Sequence, residues 1–261
     1  MKVVILCGGY GTRIRDVAEN LPKPMISIGN YPILWHIMKY YSSFGHNEFI
    51  LCLGYKSNII KDYFLNYESR TTDFSITLGK KGSMEILNNH NEQNWKITFA
   101  ETGLDSMTGT RIKKVQKYIE PNESFMFTYG DGLSNINLDD LISFHRSHKR
   151  SLTLSGVRPA GRFGEIMSDS KGEITEFKEK PEATKSRING GFFVANYSLF
   201  NYIDETRNDV IFEQEPMINL VNAQQLMQFD HDGFWQPMDT HKEYKILNEL
   251  YYEGNAPWIS W

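Results

Sequence analysis

Residues 1–13 read MKVVILCGGYGTR, and this stretch decides the fold. Val3–Leu6 is a continuous apolar run, which is typical of a β-strand covered on both faces. Gly8, Gly9 and Gly11 follow it closely, so the backbone can turn tightly and direct several N–H groups at one anion. The apolar run is too short for a signal peptide. We therefore predict a first buried strand that ends in an anion-binding turn.

Strand and helix patterns alternate through the rest of the chain. Further strands are predicted at Phe49–Leu53, Lys96–Glu101 and Ser124–Tyr129. Apolar residues at helical spacing predict helices that include residues 33–41, 59–64, 108–118 and 240–252. This βαβ repetition predicts an α/β fold, with a Rossmann-like mixed, mostly parallel sheet flanked by helices.

The composition excludes several classes of protein. Of the 261 residues, 40% are hydrophobic and 23% charged, as in ordinary globular proteins. The net charge is −4 and no basic tract occurs, so we expect no nucleic-acid partner. No apolar run is long enough to span a bilayer, so we expect a cytoplasmic protein without membrane association. Cys7 and Cys52 lie in or beside apolar runs, which predicts reduced, buried thiols rather than a zinc site.

Two cationic side chains accompany the glycine-rich turn. Thr12 and Arg13 continue the turn, and Lys23 stands between two prolines that restrict its backbone. The G-G-x-G-T-R spacing differs from the dinucleotide-binding G-x-G-x-x-G, and no G-K-[ST] of a P-loop follows. Taken alone, such a turn could also merely connect a strand with the next element.

The order G-G-x-G-T-R and then P-K-P resembles the signature of the sugar-nucleotide pyrophosphorylases, which are sugar-phosphate nucleotidyltransferases. The resemblance extends over nearly the whole chain. It implies that the turn wraps the nucleotide phosphates and that Arg13 and Lys23 are catalytic. The nucleotide contacts implied in this part of the chain are Leu6, Gly8, Gly9, Gly11, Thr12, Arg13 and Lys23.

Two aspartates are the candidate metal ligands. Asp131 follows a predicted strand and is flanked by Gly130 and Gly132, which leave room for a hydrated cation. One or two carboxylates with phosphate oxygens and water are what Mg²⁺ prefers. Asp239 could equally be the N-cap of the last helix. The resemblance of its W-Q-P-M-D-T run implies that it is the second Mg²⁺ ligand beside the catalytic Asp131, with Gly130 at the nucleotide.

The second half of the chain carries three short runs that suit a sugar phosphate. They are F-G with Gly164, E-K-P with Glu179 and Lys180, and N-G-G with Asn189 and Gly190. A solvated edge strand is the alternative for the charged run. The three runs resemble family motifs in family order, which implies sugar-binding roles for these five residues.

The choice of nucleotide depends on the segment Thr102–Arg111. It resembles the T-G-x-D-S-M-T-G-x-R run of the cytidylyltransferases, as do FTYGDG, INGGFFV, EQEP and GFWQPMDT elsewhere. This implies nucleotide contacts by Ser106, Thr108, Gly109 and Arg111, with Arg111 reaching a phosphate. Helix capping is the alternative for Thr108. Tyr10 departs from the family pattern because it is bulkier than expected beside the nucleotide.

The resemblance implies that CTP and glucose 1-phosphate give CDP-glucose and pyrophosphate with Mg²⁺ as cofactor. It also implies one nucleotidyltransferase domain over 1–261, with nucleotide binding mainly in 1–135 and sugar binding mainly in 136–261. The alternatives are a sister enzyme for another base or sugar, and a non-catalytic nucleotide-sugar-binding regulatory protein. The apolar tail at 256–261 either packs on its own domain or forms an interface, and we expect a homo-oligomer.

Overall fold

The computed structural model describes residues 1–11, 14, 19–79, 84–88, 90, 92, 94–159, 165–178 and 186–261. A seven-stranded sheet is its centre, in the order β14-β10-β13-β8-β1-β4-β7. These strands are β1 (Lys2–Leu6), β4 (Glu48–Leu53), β7 (Lys96–Glu101), β8 (Ser124–Tyr129), β10 (Leu152–Val157), β13 (Ile188–Asn196) and β14 (Leu226–His231). All neighbours pair in parallel except at β13, which is antiparallel to both β8 and β10.

Four two-stranded ribbons accompany this sheet. They pair β2 (Ser27–Ile28) with β3 (Tyr31–Pro32), β5 (Phe74–Ile76) with β6 (Met84–Ile86), β9 (Gly132–Ser134) with β15 (Trp235–Pro237), and β11 (Glu165–Ser168) with β12 (Ile174–Lys178). The helices are α1 (Ile33–Ser43), α2 (Ser57–Leu65), α3 (Tyr67–Thr71), α4 (Thr108–Lys114), α5 (Leu138–His148), α6 (Glu215–Asn222) and α7 (His241–Tyr252). Within the described residues, no helix is long and apolar enough to cross a membrane.

The first strand is buried on both faces, as its unbroken apolar run predicts. Successive side chains of a strand point to opposite faces. Val3 and Ile5 accordingly pack into one core with α1 and α7, whereas Val4 and Leu6 pack into a second core with α4. The predicted α/β fold with a mixed, mostly parallel sheet is thus confirmed.

One predicted helix is shorter than its pattern suggested. The spacing predicts a helix over residues 108–118, but α4 ends at Lys114 and a 3-10 turn covers Gln116–Tyr118. Cys7 and Cys52 are free thiols, almost completely buried, as predicted. Burial raises the pKa of the Cys52 thiol to about 12, so it stays protonated at neutral pH.

The carboxyl-terminal tail folds back on α1. Trp258 is completely buried and its indole N–H donates a hydrogen bond to Nδ1 of His36 at 3.3 Å. The other ring nitrogen of His36 lies 2.9 Å from the carbonyl oxygen of Ile28. Burial lowers the pKa of His36 to about 4, so the ring is neutral and accepts the indole proton. Of the two alternatives for the tail, packing on its own domain is the one observed.

Because Trp258 is among the largest buried side chains, its replacement by alanine should leave a cavity. We expect Trp258→Ala to lower the free energy of unfolding by about 3–5 kcal/mol. Trp261→Ala is the matched control, since Trp261 is 40% exposed and should cost much less. Urea unfolding followed by circular dichroism measures both. Equal losses in the two variants would contradict the assignment of Trp258 to the core.

Candidate active site

The candidate site lies where neighbouring parallel strands end. Leu6 at the end of β1 stands level with Tyr129 of β8 on one side and with Cys52 of β4 on the other. In open α/β sheets, ligands bind outside the carboxyl ends of the strands. The glycine-rich turn after β1 and the Gly130–Asp131 turn after β8 therefore meet at one edge.

Lys23 is the centre of this edge. Its ammonium donates one hydrogen bond to Oδ2 of Asp131 and another to Oδ1 of Asp239, each at 2.5 Å. The lysine begins a short 3-10 turn, and Pro22 before it has an extended backbone. Only 11% of the lysine side chain is exposed, compared with 32% for Asp131 and 23% for Asp239. The structure thus brings three predicted site residues into direct contact.

A pair of short strands explains how two distant aspartates come together. Asp131 directly precedes β9, and Asp239 follows β15 with only Met238 between them. The ribbon pairs Gly132 with Pro237, and the backbone N–H of Met238 donates to the carbonyl of Asp131 at 2.8 Å. Both carboxylates therefore leave the same end of one ribbon.

Asp239 is not the N-cap of the last helix. Thr240 takes that place, and it forms a capping box with Glu243, whose carboxylate accepts from the backbone N–H of Thr240. The same carboxylate also accepts from the backbone N–H of Asp239 at 2.8 Å. The capping alternative was wrong for Asp239, and the side chain of Asp239 is directed at Lys23 instead.

The charge of Lys23 is set by opposing effects. Burial lowers the pKa of its ammonium, but the charges and hydrogen bonds of Asp131 and Asp239 outweigh burial. The net result is a pKa above the ordinary lysine value of 10.5. Lys23 is therefore a fixed cation at neutral pH, and it offsets the repulsion between the two carboxylates.

The donor set suits a hydrated divalent cation. Oδ2 of Asp131 and Oδ1 of Asp239 each lie 2.5 Å from the same Nζ atom of Lys23, so the two oxygens are close together. Among the described residues, no group of three or more His, Cys, Asp or Glu could form a closed metal cage. Mg²⁺ is commonly held by one or two carboxylates while phosphates and water complete its octahedron. Asp131 and Asp239 fit this requirement.

The glycines of the turn allow close approach to the lysine and to the next strand. Gly11 has a positive φ of 59°, and a Cβ there would lie 3.0 Å from Cβ of Lys23. Gly130 donates its N–H to the carbonyl of Leu6, and a Cβ on Gly130 would lie 2.9 Å from that oxygen. Gly11 is thus packed against Lys23, and Leu6 and Gly130 contact each other at the same edge of the sheet. Their contacts with the nucleotide remain predictions. The side chains and backbone of Thr12 and Arg13 lie outside the described residues.

Arg111 is held by backbone carbonyls at the carboxyl edge of the sheet. Its side chain is buried, and its Nη atoms donate to the carbonyls of Gly8, Leu53, Gly103 and Leu104 at 2.8–3.1 Å. It also donates to the hydroxyl of Thr102. These acceptors belong to the loops that follow β1 and β7 and to Leu53, the last residue of β4. The guanidinium thus links the carboxyl ends of these three strands. A phosphate contact by Arg111 remains a prediction.

The turn residues Gly8 and Gly9 differ sharply in the space around them. A Cβ on Gly8 would lie 2.2 Å from Nη1 of Arg111, whereas a Cβ on Gly9 would meet no atom within 4 Å. We expect Gly8→Ala to lower the free energy of unfolding by about 1–3 kcal/mol, as overpacking does. Gly9→Ala should change it by less than about 1 kcal/mol. Chemical denaturation measures the difference, and equal effects would show that Arg111 yields without cost.

The loop that precedes α4 is held by its own helix. Ser106 donates to the carbonyl of Thr102 at 2.6 Å and accepts from the ammonium of Lys114. Thr108 is not the cap, since Met107 occupies the N-cap position. The hydroxyl of Thr108 accepts from the N–H of Phe212. Gly109 packs so closely that a Cβ would lie 2.8 Å from a side-chain atom of the segment 210–212. Nucleotide contacts by Ser106, Thr108 and Gly109 remain predictions.

The sugar-side residues are described in part. Asn189 lies beside Tyr129, with 3.4 Å between its Nδ2 and the phenol oxygen. The carbonyl of Gly190 accepts from the indole of Trp235 at 2.7 Å. Asn189 therefore lies next to the end of β8, two residues before Asp131, and Gly190 lies next to β15. The other predicted sugar contacts, Gly164, Glu179 and Lys180, fall outside the described residues.

Three hydrogen bonds at this edge escaped prediction. Glu213 accepts hydrogen bonds from the hydroxyls of Tyr129 and Thr108. Tyr10 donates from its phenol to Asp105 at 2.7 Å, which links the glycine-rich turn to the loop before α4. Glu213 lies in the E-Q-E-P run that carries part of the resemblance, but the resemblance assigned no role to this residue. Nothing in the one-dimensional pattern pairs Tyr10 with Asp105.

Comparison with known proteins agrees with this geometry. A family model described as "Nucleotidyl transferase" matches residues 2–253. The glucose-1-phosphate cytidylyltransferase of Salmonella typhi is 44% identical over 262 residues, which is 100% of both chains. A probable glucose-1-phosphate cytidylyltransferase of Bacillus subtilis has the same identity and coverage. Among solved structures, HddC from Yersinia pseudotuberculosis complexed with GMP-PN has a TM-score of 0.68 and 24% identity, covering 96% of this chain and 99% of its own.

The last of these likenesses concerns the fold alone, and it agrees with the mixed sheet described above. The family model and the two relatives show the family as well as the fold, because their matches extend over almost the whole chain. Together with the lysine and the two aspartates at the carboxyl edge of the sheet, they establish that this chain belongs to the nucleotidyl transferase family.

Proposed function

We propose that this protein transfers a cytidylyl group from CTP to α-D-glucose 1-phosphate, giving CDP-glucose and pyrophosphate. The observation that carries the proposal is the contact of Lys23 with both Asp131 and Asp239 at the carboxyl edge of the sheet. The choice of CTP and glucose rests on the relatives that are 44% identical over their full length and bear that name.

The reaction requires positioning more than proton transfer. An oxygen of the sugar phosphate attacks the α-phosphorus of CTP, and a new O–P bond forms. The bond from the α-phosphorus to the bridging oxygen breaks in line, and its electron pair leaves with pyrophosphate. The attacking phosphate is already ionised at neutral pH, so no protein base is needed. The obstacle is the mutual repulsion of two polyanions.

The residues at the carboxyl edge reduce this repulsion with positive charge and N–H dipoles. Lys23 is a fixed cation, and it neutralises charge that develops on the α-phosphate during transfer. The backbone of Gly8, Gly9 and Gly11 orients the triphosphate, which lowers the entropic part of the barrier. Mg²⁺ held by Asp131 and Asp239 would supply further positive charge to the phosphate oxygens. We propose that Arg13 holds the departing pyrophosphate.

The experiment that tests the proposal is pyrophosphate release. The protein is incubated with glucose 1-phosphate, Mg²⁺ and each of CTP, UTP, dTTP, GTP and ATP in turn. Release with CTP well above the other four is expected. Release with another nucleotide would keep the chemistry and replace the base, whereas a different hexose 1-phosphate would replace the sugar. No release with any combination would favour a non-catalytic nucleotide-sugar-binding protein of the same fold.

We also propose that the protein acts in the cytoplasm as a homo-oligomer. A surface on the β5–β6 ribbon supports the second point, because its apolar side chains are exposed. Ile76 is 61% exposed, Met84 49% and the neighbouring Leu78 88%. Contiguous apolar surface of this kind often marks a protein interface. Light scattering of the purified protein measures the mass directly, and a monomeric mass would contradict this part of the proposal.

A further inference from the structure

We propose that Glu213 binds the hexose of the sugar phosphate, accepting hydrogen bonds from its hydroxyl groups. This inference rests on the proposed function and extends it by one substrate-binding residue. Glu213 lies in a loop before α6, remote in sequence from the glycine-rich turn and from both aspartates. The fold nevertheless brings its carboxylate to the edge where β8 ends.

The carboxylate is held in place from two sides. The phenol of Tyr129, at the end of β8, donates to one oxygen. The hydroxyl of Thr108, the first residue of α4, donates to the other oxygen at 2.7 Å.

The backbone around Glu213 is equally well anchored. The N–H groups of Gly109 and Thr110 donate to the carbonyl of Val210, and the N–H of Phe212 donates to the hydroxyl of Thr108. The N–H of Met107 donates to the carbonyl of Asn208. Residues 208–212 are thus docked on the start of α4, and they present the next side chain at a defined position.

Charge decides which part of the substrates this carboxylate can serve. Glu213 is solvent-exposed and acceptor-only, and each carboxylate oxygen can accept a further hydrogen bond. It would repel the phosphates of either substrate. Neutral hydrogen-bond donors are its complement, and the substrates offer them as the hydroxyls of the hexose and the ribose and as the amino group of cytosine.

Position favours the hexose. The phenol of Tyr129 lies 3.4 Å from Nδ2 of Asn189, and the ring of Tyr129 lies against Gly191, where a Cβ would come within 2.6 Å. Asn189 and its glycines form the run assigned to the sugar. Tyr129 ends β8, and Asp131, the candidate metal ligand, follows two residues later, so both residues lie at the carboxyl edge of the sheet. The phenol that donates to Glu213 therefore also contacts Asn189, a residue of the run assigned to the sugar.

The variant Glu213→Gln tests this inference with little disturbance of the protein. Glutamine keeps an acceptor for Tyr129, and its amide can donate to the hydroxyl of Thr108, which has lone pairs available. We expect the KM for glucose 1-phosphate to rise about 10-fold or more, as for a lost hydrogen bond to a charged group. The KM for CTP and the melting temperature should stay within the error of the wild type. Glu215→Gln is the matched control, because Glu215 is exposed and pairs with Arg207 at 2.9 Å instead.

A substrate series separates direct contact from a structural role. Wild type and Glu213→Gln are compared on glucose 1-phosphate and on its 2-, 3-, 4- and 6-deoxy analogues. A direct contact makes the variant's loss in kcat/KM much smaller on the analogue that lacks the contacted hydroxyl. An equal loss on all five substrates would overturn the inference, as would a rise in the KM for CTP instead. If the variant fails to fold, wild-type enzyme that loses less than 3-fold on every analogue would also overturn it.

The two proposals fail in different ways. An inactive wild type with CTP and glucose 1-phosphate would contradict the proposed function. An active wild type with an unaltered Glu213→Gln variant would contradict only the role of Glu213.

Discussion

Replacement of Asp131 by alanine should abolish pyrophosphate release, with a loss of at least about 10³-fold in kcat. The carboxylate is one of only two that contact Lys23 at the carboxyl edge among the described residues, and it is our candidate Mg²⁺ ligand. Metal-ion stabilisation of phosphoryl charge is worth several kcal/mol, and about 1.36 kcal/mol corresponds to a factor of ten. The fold should survive, because the side chain of Asp131 is 32% exposed and fills no core.

The comparison that checks this result uses initial rates at saturating substrates together with thermal unfolding. Asp140→Asn is the matched control, because Asp140 is exposed on the first turn of α5 and its backbone N–H donates to the side chain of Asn137. The control should keep wild-type activity. An Asp131→Ala variant that retained activity within tenfold of the wild type would remove Asp131 from the metal site.

Lys23→Ala should lower kcat about 10²-fold or more, by analogy with the loss of one oxyanion donor. Its ammonium is the cation that bridges both carboxylates, and Pro22 and Pro24 on either side restrict its backbone. Removal of the ammonium also leaves Asp131 and Asp239 to repel one another. We therefore expect a modest loss of stability alongside the large loss of rate.

Single-turnover kinetics with saturating CTP measure the chemical step of this variant without the contribution of product release. Lys96→Ala is the control, since Lys96 is largely exposed and pairs with Glu48 at 3.1 Å. Both residues begin their strands, at the opposite end from the carboxyl edge where the site lies. A loss below tenfold in Lys23→Ala would reduce Lys23 to a binding contact.

The pH dependence of the wild type has a defined sign at Lys23. Its folded-state pKa lies above the ordinary lysine value of 10.5, so the ammonium is fully charged at neutral pH. The stability that it contributes is complete below the unfolded pKa and is lost only as pH rises through the higher folded value. Any fall in activity between pH 6 and pH 9 must therefore come from another group.

The sequence by itself determined the local elements that build the site. The unbroken apolar run of Val3–Leu6 can only be satisfied by burial on both faces, and it forms the central strand. The glycines after it, the proline-flanked Lys23 and the aspartate after β8 are each legible from neighbours in the chain. Short-range chemistry of this kind depends on backbone conformation and side-chain polarity, which one-dimensional patterns carry.

Only the tertiary structure decided how those elements act on one another. Arg111 is a cation in a nucleotide-like run, and only the fold shows that its guanidinium donates to carbonyls at the carboxyl ends of three strands. Asp239 could be a helix cap by its position, but the pairing of β9 with β15 turns it toward Asp131 and leaves the cap to Thr240. Glu213 meets Tyr129 only because residues 208–212 dock on α4. A pattern in sequence specifies what a side chain can do, whereas long-range packing decides which partners lie within the few ångströms over which hydrogen bonds act.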